Sequence, residues 1–202
     1  MKICDWSGLS EFIEDISRKI ECGEKAIHPF ALLSLLDNAS LQKKCSEIYV
    51  QSKFSENFSL GNIPKRSRSE RIRIGYFSPD FRNHPVSFLT AELFELHDRN
   101  KFEVIGFSFS PDDQSIMRKR LMKSFDQFID VHNMSDLEIA TLSRDLQIDI
   151  AVDLCGFTAN NRTGIFASRA APVQVNWLGY AGTIGSHALD YIIADKICIP
   201  EG

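Results

Sequence analysis

Three polar clusters in this chain hold residue types that do chemistry, and each follows directly on an apolar run. The first is Ser78-Pro79-Asp80-Phe81-Arg82-Asn83-His84-Pro85, entered from Ile72-Arg73-Ile74-Gly75-Tyr76-Phe77. A histidine beside a helix N-terminus faces the positive end of the helix dipole, which favours neutral imidazole. Neutral imidazole is the form that accepts a proton, and Asp80 is a candidate to orient the ring as a carboxylate–histidine pair, although sequence spacing does not place the two within hydrogen-bond reach. A second reading needs no catalysis: Asn83 or His84 caps a helix whose first residue is Pro85. Sequence spacing leaves both readings open.

The second cluster is Asp153-Leu154-Cys155-Gly156-Phe157-Thr158-Ala159-Asn160-Asn161-Arg162. A strand-terminal carboxylate, Asp153, is followed by Gly156 as the turn residue and by Thr158, Asn160 and Arg162. Such hydroxyl, amide and guanidinium groups suit sugar hydroxyls and a phosphate, because Arg offers forked donors and Asn both donor and acceptor. The alternative is a polar turn whose side chains bond their own backbone. Cys155 has no evident activating partner and reads as a small semi-buried residue. The third cluster runs Gly179-Tyr180-Ala181-Gly182-Thr183-Ile184-Gly185-Ser186-His187. Its three glycines let backbone amides approach a ligand closely. It is neither a dinucleotide fingerprint nor a phosphate-binding Walker loop, so it predicts neither dinucleotide nor nucleoside triphosphate. His187 fits a solvated loop as well as a ligand, and His28, His97 and His132 carry no site argument.

These clusters need elements to hold them. Strands are expected at 71–78, 102–109, 127–131, 148–154, 173–179 and 190–197, with helices near 85–97, 114–125, 135–146 and 163–168. Ile148-Asp149-Ile150-Ala151-Val152-Asp153-Leu154 is nearly continuous in apolar residues, as befits a strand covered on both faces. Alternating strand and helix predicts an α/β fold, a Rossmann-like doubly wound parallel sheet with right-handed crossovers. Loops at the carboxyl ends of such strands are where ligands bind. Residues 1–60 instead have helical period, with Leu9, Phe12, Ile13, Ile16 and Ile20 on one face. A second helix is expected from Pro29 carrying Phe30, Leu32, Leu33, Leu35 and Leu36, and a third from Asn38 or Ser40. Residues 61–70 have linker composition, and the basic run Lys65-Arg66-Ser67-Arg68 reads as solvated linker. The α/β domain is then 71–202.

The 202 residues are 44% hydrophobic, enough for a substantial core, and carry a formal charge of −4, the wrong sign for a general nucleic-acid binder. The five cysteines are scattered without a CxxC pair, which argues against a disulfide framework or zinc site and suits a reducing cytoplasm. No apolar run reaches the roughly 18 residues of a membrane span.

The segments IRIGYFSPDFRNHPVS, FEVIGFSFSPDD, VDLCGFTANNRTGIFASRAAPVQVNWLGYAGTIG and DYIIAD, in this order, resemble the catalytic region of the O-linked N-acetylglucosamine transferase family. The resemblance covers residues 71 to 197. It implies the N-terminal half of a GT-B glycosyltransferase, in which two Rossmann-like domains face one another across a cleft. The expected reaction is inverting transfer of N-acetylglucosamine from UDP-N-acetylglucosamine to Ser or Thr of a protein or peptide acceptor, without a metal or other cofactor. The donor is then held mainly by the second GT-B domain, and this chain supplies the acceptor side. His84 matches the histidine of the family's Asn-His-Pro motif and becomes the catalytic candidate. Asp80, Asn83, Asp153, Gly156, Thr158, Asn160, Arg162, Gly179, Tyr180, Gly182 and Thr183 become cleft-binding candidates. Residues 1–60 resemble the connector between tetratricopeptide repeats and the catalytic region. The chain ends just after a strand, so truncation and inactivity in isolation are expected. The alternatives are a Spindly-like protein O-fucosyltransferase, which shares the Gly-x-Thr-Ala-Asn-Asn segment at 156–161, or a non-catalytic module that binds a peptide or partner.

Overall fold

The structure is a computed structural model that describes residues 6–54, 58–65 and 69–199. Cys4, Arg66–Arg68 of the basic run and the terminal Pro200-Glu201-Gly202 lie outside the described residues.

Three helices form near the N-terminus: α1 (Leu9–Glu21), α2 (Pro29–Leu33) and α3 (Ala39–Lys53). Ile16, Ile20, Leu32 and Cys45 make their shared core. Asn38 caps α3 by accepting the Leu41 N–H at 3.0 Å, and the His28 ring caps α2 by accepting from Phe30. The second helix is shorter than its leucines predict. Ser34 ends α2 as its C-cap, its hydroxyl donating to Ala31 O at 2.8 Å, although Leu35 and Leu36 still pack on the same core. Gly182–Ser186 belongs to this helical unit.

The other unit holds six strands: β1 (Ile72–Ser78), β2 (Phe102–Ser108), β3 (Gln127–Asp130), β4 (Ile150–Asp153), β5 (Val173–Trp177) and β6 (Tyr191–Ile193). All pair in parallel in the order β3-β2-β1-β4-β5-β6. Between them run α4 (Pro85–Leu96), α5 (Ile116–Ser124), α6 (Asp136–Asp145) and the single turn α7 (Gly164–Ala167). Each face of the sheet has its own core. Phe77, Phe107, Ile139 and Phe166 lie on the α6–α7 side, whereas Tyr76, Val86, Phe94, Val104 and Leu121 lie on the α4–α5 side. Opposite neighbours Phe77 and Phe107 stack with centroids 4.3 Å apart. This is the doubly wound parallel sheet that alternating strand and helix predicts.

All six strands are shorter than expected: β5 ends at Trp177, and β4 and β6 fall furthest short. The Ile148 N–H goes to Ser143 O at the end of α6, so β4 pairing starts only at Ile150. After Ile193 the Asp195 carboxylate takes the N–H groups of Ile197 and Cys198, closing a turn that ends β6. Among the described residues no helix is long and apolar enough to cross a membrane.

Candidate active site at the strand-order reversal

Strand order reverses between β1 and β4, so the connections leaving these two strands diverge and open a crevice at their carboxyl ends. The β1–α4 loop forms one wall. Ser78 Oγ accepts the Asp80 N–H at 2.9 Å, and the Ser87 hydroxyl donates to the Asp80 carbonyl, fixing the turn. Asp80 is buried, with Arg82 Nη2 3.3 Å from its Oδ1. The Asn83 N–H donates to Asp113 Oδ2 at 3.3 Å, tying this loop to the one that follows β2.

His84 is the N-cap of α4. Its Nδ1 accepts the Val86 N–H at 3.3 Å, and the same atom lies 3.6 Å from Asp80 Oδ2. Both sequence readings therefore meet on one nitrogen. As a cap, Nδ1 is unprotonated and Nε2 carries the proton. Accepting a proton at Nε2 requires the other tautomer, with Nδ1–H directed at Asp80.

The β4–α7 loop forms the second wall, and its polar groups are committed to the loop itself. Asp153 is 2% exposed, and burial pushes its carboxyl above the usual aspartate range. It accepts the N–H groups of Cys155 at 2.9 Å and Gly156 at 3.1 Å, and the Asn176 amide at 3.3 Å. The Thr158 hydroxyl donates to Cys155 O at 2.9 Å, and the Asn161 amide to Thr158 O at 2.9 Å. Burial, reinforced by the nearby charges of Asp153 and Asp80, pushes the Cys155 thiol up to about 12, so it is no nucleophile near neutrality. Arg162 donates to Asp136 Oδ1 at 2.7 Å and Met134 O at 2.6 Å, clamping this loop to the one before α6. Asn160 alone among the named side chains is exposed here, on a backbone with φ of 61°.

Glycines join this wall to the loop after β5. Gly156 has φ of +54°, and a Cβ there would sit 2.3 Å from Tyr180 Cβ. A Cβ on Gly179 would lie 1.8 Å from Leu154 O. Both positions serve close packing of protein on protein, and Tyr180 is buried with its ring 5.3 Å from that of Phe157. Gly182, buried, and Thr183, exposed, group with the helical unit instead.

A cavity of about 480 Å³ opens at the carboxyl ends of β1 to β4. Asn160 and Arg162 line it as expected, but so do Arg82, Ser110 and His132, which sequence reasoning left aside. The His132 Nδ1–H donates to Asp130 Oδ1 at 2.6 Å, and the buried Arg118 donates to Asp130 Oδ2 at 2.9 Å. Burial opposes ionisation of Asp130, but the His132 hydrogen bonds and the Arg118 charge outweigh it and hold its carboxyl below the usual range. The signal was present as Asp130-Val131-His132 at a strand's carboxyl end, a spacing that brings carboxylate and imidazole together around one residue.

The family model for glycosyl transferase family 41 matches residues 43–201. The chain belongs to this family. Similar members include a probable UDP-N-acetylglucosamine–peptide N-acetylglucosaminyltransferase, SEC, of Arabidopsis thaliana, 38% identical over 68% of this chain and 14% of that protein. The corresponding enzyme of Caenorhabditis elegans is 31% identical over 98% of this chain and 18% of its own length, and the Arabidopsis protein SPINDLY is 39% identical over 64% of this chain and 14% of its own. The chain thus spans less than a fifth of the curated family 41 relatives it matches. Among solved structures, a point mutant of the O-GlcNAc transferase of Thermobaculum terrenum superposes with a TM-score of 0.72 at 31% identity, covering 89% of this chain and 33% of that one.

Proposed function

We propose that this chain is the acceptor-side catalytic domain of a metal-independent, inverting protein O-glycosyltransferase using UDP-N-acetylglucosamine. The observation that carries the reading is the position of the Asp80–His84 pair, at the strand-order reversal of a family 41 domain. In the reaction, a Ser or Thr oxygen of a protein attacks the anomeric carbon. The bond from that carbon to the diphosphate breaks, and the hydroxyl proton leaves to an acceptor group. His84 takes that proton at Nε2 in the tautomer that carries its hydrogen on Nδ1, directed at Asp80 3.6 Å away, in place of the tautomer that caps the helix. Asp80 stabilises the imidazolium that results.

The chain supplies the acceptor wall and the proton acceptor. Stabilisation of the departing diphosphate, which such transfer needs, belongs to a second domain, so the 202 residues alone should be inactive. Two assays test this. The isolated chain, mixed with UDP-N-acetylglucosamine and acceptor peptide, should give no transfer; turnover would show that the domain is sufficient by itself. Grafted in place of the matching third of the Thermobaculum enzyme, the chain should restore transfer to peptide. A folded chimera that binds nucleotide but transfers nothing would favour a non-catalytic binding module.

A further inference from the structure

A chain of hydrogen bonds that starts in the protein interior ends on a histidine the transfer chemistry leaves unused. Arg118 is 2% exposed, and its Nη1 donates to Phe81 O at 3.3 Å in the loop after β1 and to Ser108 Oγ at 2.9 Å at the end of β2. Its Nη2 donates to Asp130 Oδ2 at 2.9 Å at the end of β3. One buried cation thus ties the carboxyl ends of three neighbouring strands. The other Asp130 oxygen takes the His132 backbone N–H at 3.1 Å and its Nδ1–H at 2.6 Å. Two bonds from one residue to one held oxygen fix both the orientation of the ring and its tautomer.

Bracing of loops accounts for Arg118 and Asp130 but not for the imidazole, which is 35% exposed and lines the cavity of about 480 Å³. With Nδ1–H on Asp130, the neutral ring carries its lone pair on Nε2, for which no partner is present among the described residues. His84 differs: its Nδ1 accepts the Val86 N–H, so its Nε2 holds the hydrogen until the tautomer changes. An acceptor calls for a donor. No acidic residue lines this cavity and Arg82 and Arg162 do, which disfavours a cationic donor. Asn160 lines it too, with an exposed amide that can return a hydrogen bond. A hydroxyl donates and accepts on a single neutral atom, and so fits both groups. We propose that Asp130, held by Arg118, positions His132 so that its Nε2 accepts a hydrogen bond from a hydroxyl of one of the two transfer substrates, binding it without taking its proton. This rests on reading the chain as part of a protein O-glycosyltransferase.

The geometry is tested first on the 202-residue chain, isotope-labelled at histidine. Long-range proton–nitrogen correlation at alkaline pH shows which ring nitrogen carries the hydrogen. His132 should be the Nδ1–H tautomer, with the helix caps His28 and His84 as internal references for the opposite one. A folded Asp130→Asn should lose the preference, because its amide can donate to Nδ1. The occupant is then tested in the Thermobaculum chimera. His132→Phe fills the ring's place without its nitrogens, and should raise KM for one substrate about tenfold, as loss of one hydrogen bond requires, with kcat within about twofold. Asp130→Asn should raise the same KM. A rise for UDP-N-acetylglucosamine assigns a sugar hydroxyl, and a rise for the peptide assigns a hydroxyl of the acceptor. The opposite tautomer in the parent chain, or two unchanged KM values, would overturn the proposal and leave the domain reading intact. A large fall in kcat at constant KM would overturn it in favour of His132 as a proton acceptor. A parent chimera without transfer would overturn the domain reading and this proposal together.

Discussion

The two walls of the crevice look alike in sequence, each an aspartate at or just past a strand end followed by polar residues, but they are built in opposite ways. In the β4 wall nearly every group is satisfied from within. Asp153 holds the turn amides, Thr158 and Asn161 bond backbone carbonyls, and Arg162 clamps a neighbouring loop. In the β1 wall, Arg82 keeps an unpartnered nitrogen, and His84 has two competing acceptor and donor partners around one atom. Spare hydrogen-bonding capacity marks where a substrate can act, whereas a saturated cluster marks architecture. On this comparison, changes in the β1 wall should cost activity and changes in the β4 wall should cost stability.

The largest effect is expected at His84. In the Thermobaculum chimera, His84→Ala should lower transfer by roughly a hundredfold or more while nucleotide affinity stays within about twofold, as loss of a proton acceptor requires. The same change removes a helix cap, so it should also cost about 1 kcal/mol in urea denaturation. His84→Asn separates the two roles, because Asn caps well and accepts no proton: stability should return and transfer should not. Recovery of transfer in His84→Asn would reduce His84 to a cap.

Gly156→Ala should destabilise by about 3 kcal/mol, since a Cβ would meet Tyr180 Cβ at 2.3 Å on a left-handed backbone. A urea midpoint near that of the parent would break the claim that this wall is a packed structure. A pH effect of smaller size is expected at Asp153. Its folded pKa is raised by burial, so its contribution is fully present below the ordinary aspartate pKa and is lost as pH rises through the raised value. Subtracting the stability of Asp153→Asn from that of the parent should therefore give a difference that declines with rising pH; a difference that grows would reverse the assignment. Smallest is Arg82→Gln, whose guanidinium is partly exposed and poorly paired, and which should change stability by no more than about 0.5 kcal/mol.

Much of the fold was legible because periodicity is local. The apolar run from Ile72 to Phe77 and the helical spacing of Leu9, Ile13, Ile16 and Ile20 each announce an element, and the structure has those elements within a few residues. The misjudged ends, at Leu33, Ile148 and Ile193, depend on competition for a cap or an amide, which periodicity does not carry. The site was legible in the same partial way. Asp80, Asn83 and His84 were visible as chemistry at a strand end, but the Asp130–His132 pair was passed over although its spacing was in view.

By itself the sequence determined the parallel α/β class, the family and the loop that bears His84, because these follow from residue types and short-range order along the chain. Tertiary structure alone decided which polar groups remain free. Whether Arg162 meets Asp136, Gly156 meets Tyr180, or Arg82 Nε and Ser110 Oγ are left without partners depends on segments brought together across the sheet. A side chain's identity fixes what it can donate or accept, but only the folded neighbourhood fixes how much of that capacity is left for a substrate.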